Sequence, residues 1–155
     1  MKTKIAFMGI MVCLFTFNNI KLLSQDCKKF HLYGSCMQYP GASFRVDGQS
    51  RSSIIGIGDN FTYNVILYEK RDYKMFFCAT DLFNPVHYIL KDYVTSEVIY
   101  DSQQDQNPET VELSTENTRR IMIEISVLAI NAEKKVTDNF NGCVGFLLQW
   151  RPIKE

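Results

Sequence analysis

The sequence predicts an all-β chain: a two-layer β-sandwich of about eight or nine antiparallel strands, most simply in jelly-roll order. Three observations predict it. Apolar residues alternate with period two through most of the chain after residue 40. Turn-forming clusters of Gly, Pro, Asn and Asp recur about every 8–12 residues. No convincing helical pattern stands between them.

The chain opens "MKTKIAFMGIMVCLFTFNNIKLLSQD". Lys2 and Lys4 precede a 13-residue apolar block, Ile5 to Phe17, and Ser24 offers a small residue for cleavage. That order is the layout of a secretory signal over 1–24. The block falls short of the ~20 residues a membrane span needs, so no stable transmembrane anchor is expected after cleavage. Gln25 and Asp26 ahead of Cys27 argue against a lipidated cysteine. Cleavage after Ser24 leaves residues 25–155, 131 of the 155, as one domain. It removes three lysines, so 14 basic residues face 17 acidic ones and the net charge is −3. With no clustered positive face, nucleic acid is excluded as a partner. Eleven Phe, eight Tyr and one Trp supply ample core material.

Candidate strands fall at 42–47, 51–57, 61–69, 73–79, 86–91, 97–101, 109–114, 119–128 and 142–150. "RRIMIEISV" is the clearest, setting Ile121, Ile123, Ile125 and Val127 on one face. "FTYNVILYE" does the same with Phe61, Tyr63, Val65 and Leu67. "CVGFLLQW" is apolar on both faces, as a central strand would be. "PG" at Pro40-Gly41, "DGQS" at Asp47 to Ser50, "GDN" at Gly58 to Asn60, and "NP" at Asn84-Pro85 and Asn107-Pro108 punctuate them. "NAEKKVTDN" reads as a single helical turn or a long polar hairpin loop.

Cys13 leaves with the leader, and Cys27, Cys36, Cys78 and Cys143 remain. Four cysteines in an exported chain read as a two-disulfide framework with three possible connectivities. Cys78 ends one strand and Cys143 begins another. Antiparallel neighbours would bring them together, leaving Cys27 and Cys36 to close a small N-terminal loop. A zinc site fits poorly, because eight residues separate Cys27 from Cys36. A nucleophilic thiol would need a base, and only His31 and His87 exist.

The run "GQSRSSIIGIGDNFTYNVILYEKRDYKMFFCA", followed by "EVIYD", "TRRIMIEISV" and "GCVGFLL", resembles a group of short exported proteins of Bacteroidetes-type bacteria. The resemblance covers residues 43–148. In strand rhythm and the "DY" hairpin the chain also looks loosely like the pre-peptidase C-terminal type of jelly-roll module. Either resemblance implies a periplasmic or cell-surface accessory or binding module, and neither carries over a catalytic residue.

No motif announces chemistry. "GQSRS" is not the G-x-S-x-G of a serine hydrolase, and neither histidine has an obvious orienting carboxylate. His87, between Val86 and Tyr88, reads as a half-buried structural residue. Asp59, Glu69, Asp72 and Asp81 read as solvated groups at turns and strand ends. Oxygen-bearing side chains at Asp101, Asp105, Asn107, Asp138, Asn139 and Asn141 lack the regular spacing of a dedicated calcium loop, so no cofactor or metal is expected. Tyr33, Tyr39 and Tyr93 are the aromatics placed to stack on a sugar or partner chain. The expectation is a secreted or periplasmic, non-enzymatic binding or accessory module with an unidentified protein or glycan partner at the envelope. The alternatives are a structural subunit of an envelope or secretion-related assembly, with "GIGD" and Arg119-Arg120 at an edge or interface, and, further back, a small hydrolase.

Overall fold

Alternation in the sequence becomes two-facedness in space. The computed structural model describes residues 26–33, 36, 43–127 and 141–153; the expected leader and the "NAEKKVTDN" stretch lie outside them. Among these residues nine strands follow in chain order: β1 (Arg45–Val46), β2 (Arg51–Gly56), β3 (Asn60–Leu67), β4 (Arg71–Ala79), β5 (Val86–Asp92), β6 (Val98–Asp101), β7 (Thr110–Thr115), β8 (Arg119–Val127) and β9 (Asn141–Pro152). Every expected strand is present, with ends displaced by a few residues.

All pairings are antiparallel, and the strands form two sheets. In sheet A, β9 pairs with β1 and then β2 along one edge and with β4 along the other, and β7 lies beyond β4. Sheet B runs β3-β8-β5-β6. The chain changes sheet at every connection except β1–β2 and β5–β6.

The inward-facing sets meet as one apolar core. Ile121, Ile123 and Ile125 are wholly buried on β8, as are Tyr73 and Met75 on β4 and Phe146 and Leu148 on β9. Phe77 of β4 stacks on Tyr88 of β5 across the layers, ring centroids 3.6 Å apart, and Phe146 adds a third ring 5.4 Å from Phe77. Buried side chains of this size contribute about 1.5–3 kcal/mol each.

β9 is apolar on both faces because both are covered. Val144, Phe146 and Leu148 face the core, while Cys143 and Leu147 are buried on the outer side. There a 3-10 turn, Phe30–Leu32, packs on β9 and β2. Two disulfides hold this strap down: Cys27 to Cys143, with Cα atoms 5.3 Å apart, and Cys36 to Cys78, 5.1 Å apart.

The expected Cys78–Cys143 and Cys27–Cys36 pairing is therefore wrong. β4 and β9 are antiparallel neighbours as anticipated, but Cys78 lies opposite Gly145, and Cys143 is two residues along on the same face. Such diagonal neighbours sit about 7–8 Å apart, beyond disulfide reach. Each cysteine instead takes a partner from the strap above. Gly145 lies beneath it: a Cβ there would come within 2.6 Å of Cys36 Sγ and 3.1 Å of the His31 Cα.

The "DGQS" turn interrupts the edge of sheet A between β1 and β2. The Asp47 N–H donates to Leu148 O at 2.8 Å, and Ser50 Oγ accepts from Leu148 N–H at 3.1 Å, so β9 stays satisfied across the gap. Gln49 reaches the other layer. Its amide Nε2 donates to Ile66 O at 3.0 Å and its Oε1 accepts from Ile66 N–H at 2.8 Å, as a paired strand would.

Candidate functional site

The two outer faces of the sandwich differ. On sheet A the strap and its bridges cover the central strands. On sheet B, alternation sends Asn60, Thr62, Asn64 and Ile66 of β3, Arg120, Met122, Glu124 and Ser126 of β8, and His87, Ile89 and Lys91 of β5 outward. The β3 members of that set and Arg120 are exposed, and the rest are half-buried.

Register arranges these side chains in rows. Asn60, Ser126 and His87 form one; Thr62, Glu124, Ile89 and Asp101 the next; Asn64, Met122, Lys91 and Val98 a third. The members of the first two rows other than Asp101 line a groove of about 420 Å3. The last rows are apolar and cationic. Ile66, Tyr93 and Val98 are exposed, and the Arg120 guanidinium lies 3.7 Å over the Tyr93 ring.

His87 stands at the end of the groove. Its Nε2 donates to Asp101 Oδ1 at 2.8 Å, leaving Nδ1 to accept from the Ser126 hydroxyl at 3.2 Å. Asp101 also accepts from Gln103 N–H at 3.0 Å as the 3-10 turn Ser102–Asp105 begins. The hydrogen bond from His87, then that backbone N–H, holds the Asp101 carboxyl below its usual range. Beside it Lys91 Nζ meets Glu124 Oε2 at 2.7 Å. The expectation that His87 lacks an orienting carboxylate is thus corrected. Asp101 is fourteen residues away in sequence. It reaches His87 because β5 and β6 pair, with Ile89 opposite Asp101.

Ser126, His87 and Asp101 copy the connectivity of a hydrolytic triad but not its surroundings. Ser126 lies within β8, which is paired on both edges, so the nearby N–H groups serve the ladders rather than a developing oxyanion. The arrangement fixes a ring; it does not aim a nucleophile.

The other singled-out residues disperse. Cys27, Cys36, Cys78 and Cys143 are in the bridges, away from this face. His31 lies on the strap, its Nδ1 2.8 Å from Ser52 Oγ, and burial followed by the Arg51 charge lowers its pKa below 6.5. Asp72 sits between Ser114 Oγ at 2.7 Å and Arg151 Nε at 2.9 Å. Asp59 accepts from Gly56 N–H at 2.9 Å in the turn before β3. Glu69 and Asp81 stay at turns. Asp105 takes the Tyr100 hydroxyl at 2.8 Å and Asn107 takes that of Ser102 at 2.8 Å, so these oxygens are spent inside their own loop. Tyr33 and Tyr93 are exposed, on opposite sides of the molecule. Tyr39, Asp138 and Asn139 lie outside the described residues. Among the described residues no cluster of three or more His, Cys, Asp or Glu is arranged to hold a metal, and no helix is long and apolar enough to cross a membrane.

No family model matches the chain, and no curated protein matches it. Among solved structures it is similar to the crystal structure of Aeromonas hydrophila PliG, a periplasmic lysozyme inhibitor of g-type lysozyme. That likeness has a TM-score of 0.42 and 9% identity over 74% of this chain and 90% of that one.

Proposed function

We propose that the chain is an exported, non-enzymatic binding module that engages a protein or glycan at the cell envelope through the outer face of sheet B. The observation that carries this reading is the contrast between the two outer faces. One is roofed by a strap held with two disulfides; the other presents ordered rows of polar and apolar side chains on paired strands. A rigid sheet that displays side chains without covering them has the character of a recognition surface. Two buried bridges support an oxidising compartment, periplasmic or extracellular. The strand orders β1/β2-β9-β4-β7 and β3-β8-β5-β6, with the sheet changing at nearly every connection, support a jelly-roll reading of the sandwich.

The test is steric. Tryptophan at Thr62 or Met122 obstructs the open face, and tryptophan at the exposed Glu112 of sheet A serves as control. In a binding assay with washed envelope fractions, the first two variants lose binding and the control keeps it. Loss with the Glu112 variant alone, or equal binding by all three, overturns the assignment.

A further inference from the structure

The groove around Ser126 has a narrower chemistry than the face that contains it. Its volume of about 420 Å3 is that of a small-ligand site. Its charges are matched already: Lys91 with Glu124 at 2.7 Å, His87 with Asp101 at 2.8 Å. Among the described residues no arginine lines it, so none there rewards a phosphate or carboxylate ligand. The carboxylates are engaged and too few for a calcium ion, which takes six to eight oxygens.

What stands unused is hydrogen-bonding capacity rather than unpaired charge. The Asn60 amide and Thr62 hydroxyl make no side-chain hydrogen bond among the described residues, Glu124 Oε1 is uncommitted, and Ser126 Oγ retains acceptor capacity. Ile89 supplies an apolar wall. These groups stand on three adjacent paired strands, so little ordering cost accompanies their use. Donors and acceptors interleaved over one non-polar side chain match the alternating hydroxyls and C–H face of a pyranose.

Resting on the open-face reading above, we propose that this groove is a subsite for one neutral sugar ring of a glycan. Asn60 donates to one ring hydroxyl and Glu124 accepts from its neighbour. Ser126 and Thr62 take the remaining contacts, and His87, clamped by Asp101, closes the end.

The experiment is calorimetric titration of the full mature chain with a panel of neutral oligosaccharides ending in glucose, galactose, mannose or N-acetylglucosamine, and with sialylated counterparts. At least one neutral glycan binds, and the affinity falls about tenfold in Asn60→Ala and again in Thr62→Ala, the effect of losing one good hydrogen bond. Glu112→Ala, on sheet A, leaves it unchanged. Binding by sialylated glycans alone, no binding by any member, or indifference to both groove substitutions overturns the saccharide assignment. Unchanged melting of Asn60→Ala separates loss of contact from loss of fold. If glycans fail while the Thr62 and Met122 tryptophan variants still abolish envelope binding, the open face survives and its partner is a protein; if those variants bind normally, both readings fall.

Discussion

Gly145 shows how one side chain, by being absent, admits a second layer of structure. The strap crosses β9 at the point where a methyl group would meet two sulfur atoms and a backbone carbon. Gly145→Ala therefore either lifts the strap or displaces β9, at a cost of about 1–3 kcal/mol typical of overpacking. Chemical denaturation of the oxidised protein measures it, and an unchanged midpoint would contradict the close approach. His31, on the same strap, adds a pH dependence. Burial, and then the Arg51 charge, lowers its pKa in the folded state from 6.5. The unfolded chain thus binds the proton first. This contribution is intact above pH 6.5 and declines as the pH falls through 6.5 towards the lower folded value. Melting temperatures from pH 8 to pH 5 should show that decline, and His31→Gln should flatten it.

Among the described residues, β3 is an edge strand with one guarded position. Gln49 supplies both partners that Ile66 would find in a neighbouring strand, and it does so from the opposite sheet. Gln49→Ala leaves that edge open and unties the layers there. We expect a loss of about 0.5–1.5 kcal/mol for each hydrogen bond removed, together with faster aggregation on heating, since exposed edges template pairing. Light scattering alongside circular dichroism reads both. Strands were the legible part of the sequence because each carries its own period: β8 buries all four residues that alternation singled out, and β3 buries Val65 and Leu67 with Phe61 and Tyr63 half-buried against the core. Pairing was not legible to the same precision. That β4 neighbours β9 follows from two apolar runs, but the two-residue offset separating Cys78 from Cys143 is set by register. The His87 site was hidden for the same reason. Asp101 and Ser126 come to it from two other strands, and nothing along the chain marks them as its partners.

For the molecule as a whole, the bridges are constraints of unequal length. Cys27–Cys143 spans 116 residues and Cys36–Cys78 spans 42. Loss of a native bridge in a small secreted domain costs about 2–5 kcal/mol, and loop entropy makes the longer one worth about 1 kcal/mol more. Cys143→Ser should therefore destabilise more than Cys78→Ser, each compared by denaturant midpoint with its partner cysteine also replaced. Equal stability with and without reductant would contradict both. Non-reducing peptide mapping should recover Cys27 joined to Cys143.

The welded strap also gives the molecule a direction. Because Cys27 is bound to β9 on the roofed side, a tether attached just ahead of it emerges there. A copy hung from that tether turns its Asn60–Ser126–His87 row away from the support, towards whatever passes in solution.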